Sequence, residues 1–511
     1  MRLQVQLHLR SLRIAPSHGQ VSLVGSHTTQ RRRILSSVFK SKEHIVHQRL
    51  RLPVFSHVFE RDGACALYSS LNLKPVFIDP TLLPFVRKFE QAQDVSEFLA
   101  ECEDEQQERM EALLRVLAEH KILVNAEATD DEILAYFQDL YTGHPYVSIA
   151  YFLLTDACNF GCKYCFVENR MGERPVRTRM TSETIQEGLA FFERLIRLKP
   201  EFFEDEKTIV IYGGEPLLNP QGLRVLLEEV ETHKRDGRLP AKTEVSMVTN
   251  ATLVTQELAD LLAHHKVNVA VSIDGSPEAT DEARQFKNGQ AVSSAVRRGY
   301  DLLKATGVNV GISCTLGARS IEDFDETIDA VRELGASSLG FNIVLSGRDY
   351  QVPADYDERA SRFILYAFER FRQENIFEDR VMRKVDAFID GKIYPFDCGA
   401  TGGGQIVIAP DGAVGLCHGY MGDRKTFTTH VEDEHFDPSA NQVFLEWARR
   451  SPLNMDACRD CPALGICGGG CPLNADTELG SIWELDERFC VHATMTLEWL
   501  IWDLHAQMQT A

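Results

Sequence analysis

The chain has 511 residues, of which 44% are hydrophobic and 25% are charged, an ordinary composition for a globular protein of two to four domains. No stretch of the sequence reaches the apolar length of a membrane span, so no membrane partner is expected. The formal net charge of −21 argues against binding to nucleic acid, whose phosphates attract basic surfaces.

The first 52 residues differ from the rest of the chain in charge. Residues 1–51 contain ten Lys or Arg and a single acidic residue, Glu43. They show no apolar periodicity and lack the continuous apolar core of a secretory signal. We predict that residues 1–52 form a basic, disordered tail in a cytoplasmic protein. A solvated tail or an over-extended start site is favoured over an organelle transit peptide.

Residues 53–130 are predicted to form a small winged-helix-like module. Strand-like segments at 53–58, 64–71 and 75–78 come first. Helical segments follow, in which four apolar side chains share one face at helical spacing: Met110, Leu113, Leu114 and Leu117. The short apolar run 122–124 comes after them.

Strand and helix candidates alternate over residues 146–350. The strand candidates are 147–154, 208–212, 244–248, 267–273, 308–315 and 339–345. The helix candidates are 182–198, 221–234, 255–265, 291–305 and 321–334. Ser320 and Asp323 form a capping-box pattern at the start of the last helix. Six strands alternating with five helices predict an α/β fold with a parallel sheet, curved or closed, whose functional groups lie at the C-terminal strand ends.

Residues 351–397 are predicted to form a helical bridge to a last domain that is rich in Cys and Gly. Ten of the 13 cysteines of the chain fall into closely spaced groups, which in a chain without a secretory signal indicates metal binding and not disulfides. The remaining three, Cys65, Cys102 and Cys314, are scattered and are interpreted as small buried hydrophobic residues.

The first cysteine group directly follows the first strand of the alternating region. Cys158, Cys162 and Cys165 lie within eight residues of one loop. Three thiolates can hold three irons of a [4Fe–4S] cubane and leave the fourth iron open for chemistry. A zinc knuckle with a remote fourth ligand is the alternative.

The C-x3-C-x2-C pattern, with Tyr164 before the third cysteine, resembles the radical S-adenosylmethionine (SAM) superfamily. The resemblance implies a partial (β/α)6 barrel whose open iron binds SAM. One electron, from a donor such as flavodoxin or ferredoxin, would cleave SAM to methionine and a 5′-deoxyadenosyl radical that abstracts a substrate hydrogen. It also assigns SAM contacts to Tyr164 and to residues after later strands: Gly213, Gly214, Glu215, Pro216, Asn250, Ser272, Asp274 and Arg284.

Other interpretations of these SAM contacts stay open. The Gly213–Pro216 segment resembles the GGEP loop of the family, although a glycine pair is a weak signal by itself. Thr249 and Asn250 fit a turn or a helix cap equally well. Arg284 fits a surface salt bridge nearly as well as a contact with the SAM carboxylate.

The last seven cysteines of the pattern resemble the SPASM extension of radical SAM proteins, predicted here over residues 398–495, with a C-terminal helix over 496–511. The resemblance implies two auxiliary [4Fe–4S] clusters. One would be bound by an outer cysteine group: Cys458, Cys461, Cys467 and Cys490. The other would be bound by an inner cysteine group: Cys398, Cys417 and Cys471. A pair of zinc sites is the alternative.

The inner cysteine group departs from the pattern of the sulfatase maturases. Those enzymes carry a further cysteine shortly after the first, whereas residues 399–404 contain none here. The inner cluster would therefore have an open iron or a non-cysteine ligand, for which His418 is the nearest candidate. Sulfatase maturases also carry an Asp, proposed as a general base, at the position of His418, which counts against sulfatase maturation.

The N-terminal module resembles the PqqD-like peptide recognition element, which implies that a leader peptide adds to a sheet edge as a strand. A structural cap is the alternative. We expect a SPASM-type peptide maturase that abstracts hydrogen from a ribosomally made precursor peptide and leaves a crosslink or another oxidative modification. The competing hypotheses are a sulfatase-type or quinone-cofactor maturase acting on a protein, and a non-catalytic, metal-stabilised binding protein.

Overall fold

The computed structural model of the protein describes residues 45–170, 177–344 and 350–510. Most of the predicted basic tail, residues 1–44, lies outside the described residues, as does Leu345 at the end of the last strand candidate. Residues 45–52 are ordered, because Arg49–Arg51 forms the first strand. The last part of the predicted tail thus contains regular structure. In the part of the chain that the structure describes, no helix is long and apolar enough to cross a membrane.

Residues 45–141 contain two three-stranded antiparallel sheets and four helices. The strands are β1 Arg49–Arg51, β2 Ser56–Arg61, β3 Ala64–Ser69, β4 Val76–Ile78, β5 Gln93–Asp94 and β6 Val124–Asn125. The helices are α1 Leu83–Arg87, α2 Val95–Ala100, α3 Asp104–Glu119 and α4 Asp130–Tyr141. The strand orders are β5-β1-β6 and β2-β3-β4. Met110, Leu114 and Leu117 of α3 are buried together as their spacing predicts.

The position of β2 differs from the predicted strand 53–58. Asp62 and Gly63 both have positive φ, 50° and 78°, and form the two-residue turn between β2 and β3. An Asp-Gly turn of this kind sets the register of the hairpin. The first strand consequently occupies Ser56–Arg61.

Six parallel strands follow one another in chain order and form the centre of a ten-stranded sheet. They are β7 Ile149–Leu153, β8 Thr208–Tyr212, β9 Glu244–Thr249, β10 Asn268–Ser272, β11 Asn309–Leu316 and β12 Ser338–Ile343. The helices between them are α5 Ser182–Arg197, α6 Pro220–Arg235, α7 Gln256–His264, α8 Pro277–Ala283, α9 Ser293–Ala305 and α10 Phe324–Leu334. The expected α/β fold with a parallel sheet is confirmed, and its C-terminal strand ends lie along one edge.

The predicted capping box at the start of α10 is wrong. Asp323 is itself the N-cap, because its carboxylate accepts from the amides of Asp325 and Glu326. Ser320 lies one turn earlier in a 3-10 helix, and its hydroxyl donates to the Asp274 carbonyl at 2.8 Å. A contact with the neighbouring strand end thus replaces the local cap.

The C-terminal part continues the same sheet. Helices α11 Tyr356–Gln373 and α12 Asp379–Asp390, with β13 Phe377–Glu378 between them, form the expected helical bridge. The next three strands are β14 Gln405–Ile408, β15 Ala413–Gly415 and β16 Phe427–His430. β14 pairs in parallel with β7, and β15 and β16 extend the sheet in antiparallel fashion. The predicted boundary at residue 398 therefore does not separate two sheets.

Four helices complete the C-terminal part. They are α13 Gln442–Arg449, α14 Leu464–Cys467, α15 Pro472–Leu479 and α16 Glu487–Thr510. The last helix begins nine residues before the predicted residue 496 and carries Cys490. The N-terminal module packs on this part: Arg61 pairs with Glu498 of α16 at 2.7 Å, and Tyr68 stacks on Phe388 of α12.

Candidate active site

The loop after β7 carries the first three cysteines and is held by the segment that follows α8. The amide of Gly161 donates to the carbonyl of Gln285 at 2.8 Å, and that of Lys163 to the carbonyl of Ala283 at 3.1 Å. All three thiols are partly buried. Burial raises the pKa of Cys158 to about 12, and the charges of Cys162 and Cys165 add to the effect, so the three thiols lie near one another.

The predicted glycine pair after β8 packs directly on the backbone of this loop. A Cβ atom on Gly213 would lie 2.4 Å from the Thr155 carbonyl oxygen, and one on Gly214 would lie 2.2 Å from that of Ala157. The Gly214 amide donates to the Thr155 carbonyl at 2.9 Å. Only glycine fits at both positions, because any side chain would push the cysteine loop away from β8.

Glu215 joins the end of β8 to the end of β9. Its buried carboxylate accepts from the Thr249 hydroxyl at 2.6 Å, the Asn250 amide at 2.8 Å and the Leu217 amide at 3.1 Å. Burial raises the pKa of Glu215 to about 7, and these donors oppose the shift. The carboxylate therefore positions neighbouring elements, and Pro216 beside it is buried at the start of a 3-10 helix.

Asn250 links the end of β9 to the cysteine loop. Its side-chain amide donates to the Asn159 side chain at 2.8 Å, and its oxygen accepts from the Thr252 amide and hydroxyl. These contacts are the ones expected if Asn250 forms a turn after β9, which was one of the two interpretations of this residue. Ser272 ends β10 and is nearly buried beside Asp274.

Asp274, Arg284 and Tyr164 form a buried cluster next to the cysteine loop. Arg284 donates to both carboxylate oxygens of Asp274 at 2.9 Å, and the Tyr164 hydroxyl donates to the same carboxylate. Arg284 is 8% exposed, so the salt bridge offered as the alternative interpretation does form, but in the interior and not at the surface. Burial raises the pKa of Cys162 to about 11, and the adjacent guanidinium opposes this shift.

Mutual charge effects link the seven C-terminal cysteines in two sets: Cys458, Cys461, Cys467 and Cys490 in one, and Cys398, Cys417 and Cys471 in the other. Burial raises the pKa of Cys490 to about 12, and Cys467, Cys458 and Cys461 add to the effect. The pKa of Cys471 is also raised to about 12 by burial, with contributions from Asp486 and Cys398. Burial, with the charges of Cys471 and Cys398, likewise raises the pKa of Cys417. The cysteines of the outer group therefore influence mainly one another, and so do those of the inner group.

The glycine-rich segment 399–404 places a hydroxyl beside the inner cysteine group. Thr401 lies with its Oγ1 3.8 Å from the Sγ of Cys398, and this hydroxyl donates to the Cys398 carbonyl at 2.8 Å. Within the described ranges, no three His, Cys, Asp or Glu side chains converge as ligands of one metal ion.

Residues 152–331 match the family model described as the Radical SAM superfamily. This part of the chain is a radical SAM domain. The matched residues run from β7 to α10 and include the cysteine loop and the glycine pair.

Two relatives and one solved structure agree with this assignment. The enzyme is 24% identical over 355 residues to the radical SAM cyclopropyl synthase TigE of Paramaledivibacter caminithermalis, covering 66% of this chain and 70% of that protein. It is 24% identical over 351 residues to a cysteine-type anaerobic sulfatase-maturating enzyme of Clostridium perfringens, covering 65% and 90%. The structure of native anSMEcpe with bound AdoMet and Cp18Cys peptide shares the fold, with a TM-score of 0.59, 21% identity and coverage of 72% and 99%.

The residues of the enzyme fit the [4Fe–4S] cluster and SAM that its family implies. Cys158, Cys162 and Cys165 supply three neighbouring thiols, and Arg284 provides a positive charge that favours a thiolate at Cys162. The cluster would supply one electron for the cleavage of bound SAM. The scattered cysteines behave as expected, since Cys65 and Cys314 are buried and Cys102 is partly buried.

An aromatic cluster beside the parallel sheet was missed by the sequence analysis. His418 stacks on Tyr151 of β7, with ring centroids 5.0 Å apart and planes at 13°, and also contacts Tyr212 and Phe166. Its Nδ1 is shielded from solvent and has no hydrogen-bond partner among the described residues. Burial lowers the pKa of His418 to about 4. The tyrosines at strand positions, Tyr151 in β7 and Tyr212 in β8, were the sequence feature that could have indicated this cluster.

Proposed function

We propose that the enzyme abstracts a hydrogen atom from a ribosomally made precursor peptide and leaves a crosslink or another oxidative modification. The observation that carries this proposal is the position of the inner cysteine group on the side of the sheet where β14 joins β7. There, the inner group and the loop of Cys158 both lie near the aromatic cluster around His418. The relatives, a cyclopropyl synthase and a sulfatase-maturating enzyme, are named for modification chemistry.

Residues 398–495 are proposed to be a SPASM domain with two auxiliary [4Fe–4S] clusters. The outer cysteine group supplies four thiols, the complete ligand set of a cubane, and the inner group supplies three. When bound, these clusters supply electron transfer, with a flavodoxin or ferredoxin as the proposed electron donor. The inner group, with three thiols, keeps one coordination position for another ligand.

The N-terminal module is proposed to be a PqqD-like element that holds the leader of the precursor. β2 lies at the edge of its sheet, with β3 as its strand neighbour, and Val58 in its middle is 41% exposed. An edge strand offers unpaired backbone groups to which an extended peptide can add. Because the module packs on α16, which carries Cys490, a leader bound there would lie on the same body as the cysteine groups.

The test requires a short open reading frame beside the gene and uses its peptide product with reconstituted full-length enzyme, SAM and dithionite. We expect 5′-deoxyadenosine to form and the peptide to lose two hydrogen atoms by mass spectrometry, as a crosslink requires. The matched control replaces Cys158, Cys162 and Cys165 with Ala, which should abolish 5′-deoxyadenosine while auxiliary iron remains. Unchanged peptide together with conversion of a sulfatase-derived peptide would favour the protein-maturase alternative. 5′-Deoxyadenosine from the control would refute the assignment of the first cluster.

A further inference from the structure

The C-terminal part of the enzyme buries one arginine completely. Arg450, directly after α13, is 0% exposed and is the largest fully buried side chain among the described residues. Its Nε donates to the Ile482 carbonyl at 2.7 Å, and its terminal nitrogens donate to the carbonyls of Glu484, at 3.0 Å, and Gly469. All three acceptors are neutral, so the guanidinium forms no hydrogen bond to a carboxylate among the described residues.

The acidic residue nearby is already engaged. Asp486 receives two hydrogen bonds from Arg488 at 3.1 Å, and it also accepts from the Cys471 amide and the Asn474 side chain. A buried charge without a countercharge costs several kcal/mol. Arg450 therefore requires a source of negative charge other than the carboxylate of Asp486.

Arg450 holds the turn that joins the two cysteine groups. Three consecutive glycines, residues 468–470, connect Cys467 of the outer group to Cys471 of the inner group, and all three have positive φ. A Cβ atom on Gly469 would lie 2.7 Å from a terminal nitrogen of Arg450. The turn therefore needs glycine for its conformation and also for the close approach of the guanidinium.

The thiols of both groups lie within electrostatic range of this guanidinium. Burial lowers the pKa of Arg450, and negative charge on Cys471, Cys467, Asp486 and Cys458 acts against that shift. These cysteines lose their protons when they bind iron, so a bound cluster concentrates negative charge at each group. The position between the groups thus gives Arg450 two anionic neighbours.

We propose that Arg450 is the countercharge shared by the two auxiliary clusters and that it raises the reduction potential of both. The inference rests on the proposed function, in which both cysteine groups bind clusters. Reduction adds one electron to a cluster, and a fixed positive charge nearby stabilises the more negative, reduced form. A single residue would therefore keep the two clusters within reach of the same electron donor.

The experiment is a redox titration followed by electron paramagnetic resonance. The parent is the full-length protein with Cys158, Cys162 and Cys165 replaced by Ala, so that only auxiliary signals remain. We expect Arg450→Gln to shift both midpoint potentials to more negative values and Arg450→Lys, which keeps the charge, to stay near the parent. Arg372→Gln is the matched control, because it also removes one positive charge. That charge belongs to an ion pair with Asp503, which includes no residue of either cysteine group.

The outcomes separate this inference from the proposed function. A parent protein without auxiliary iron would overturn the two clusters and the inference with them. With iron present, unchanged potentials in Arg450→Gln, a shift of one cluster alone, or an equal shift in Arg372→Gln would overturn the role of Arg450. If Arg450→Gln fails to retain iron, Arg450→Lys decides: retained iron at near-parent potentials supports the countercharge, and lost iron overturns it.

Discussion

Asp274, just after β10, holds the guanidinium of Arg284 through two hydrogen bonds of 2.9 Å in the protein interior. The same carboxylate accepts from the Thr315 amide of β11 at 3.0 Å and from the Tyr164 hydroxyl. One side chain thus joins two strands of the sheet to the loop that carries the first cysteine group. The ion pair fixes the position of a positive charge beside Cys162.

Replacement of Asp274 by Asn should destabilise the protein strongly. Arg284 would remain buried without its countercharge, which costs about 3–5 kcal/mol. Tyr164→Phe is the matched comparison, because it removes one hydrogen bond and leaves the ion pair intact, for an expected loss of about 1 kcal/mol. Urea unfolding of both variants before cluster reconstitution measures the difference. Equal losses in the two variants would contradict the central role of the ion pair.

Replacement of Glu215 by Gln should remove a pH dependence of stability. Burial raises the pKa of Glu215 from 4.5 to about 7, so the folded protein holds a proton that the unfolded chain releases between these values. Stability from this group is therefore full below pH 4.5 and falls as the pH rises to 7, by roughly 3 kcal/mol. The measurement is the unfolding free energy against pH for both proteins. Parallel curves for wild type and Glu215→Gln would show that the group does not titrate in this range.

Val58→Pro should weaken binding of the precursor peptide. In a two-residue hairpin the residues flanking the turn, Arg61 and Ala64, exchange backbone hydrogen bonds, so alternate residues of β2 direct their amides outward. Val58 is one of these, and proline there removes an outward donor worth about 1 kcal/mol without breaking the ladder to β3.

Fluorescence anisotropy with the labelled peptide encoded beside the gene measures this effect. Val58→Thr is the control, because it keeps the backbone amide and a β-branched side chain. We expect weaker binding in Val58→Pro alone, with uncoupled SAM cleavage preserved in both variants. Wild-type affinity in Val58→Pro would leave the module as a structural cap.

His418→Ala should lower peptide turnover and leave the auxiliary clusters intact. The imidazole stacks on Tyr151 and contacts Tyr212 and Phe166, so it lies between the inner cysteine group and the loop of Cys158, where we propose that the peptide is modified. We expect turnover to fall about tenfold, equivalent to ~1.4 kcal/mol of transition-state stabilisation. Iron content and electron paramagnetic resonance spectra are recorded alongside turnover. Altered auxiliary signals in the variant would identify His418 as the fourth ligand of the inner cluster.

The sequence by itself determined the local pattern of the enzyme. The strand at 208–212 has the predicted limits, and the six strands and the helices between them follow in the predicted order. Apolar periodicity gives these elements because each must bury one face. The cysteine spacings pointed to the candidate ligands for a related physical reason where they share one loop, as Cys158, Cys162 and Cys165 do: such ligands must lie close together in sequence.

The tertiary structure decided the contacts between distant segments. Periodicity does not specify which strand edge β14 joins, because pairing depends on backbone groups that every residue carries. The stacking of His418 on Tyr151 and the burial of Arg450 likewise join segments far apart in the chain. Ser320 shows the same limit at close range: its sequence context favours a helix cap, yet a strand end brought near by folding takes its hydrogen bond. A residue's preference for a local helix cap is overridden wherever folding brings up a hydrogen-bond partner that binds it more strongly.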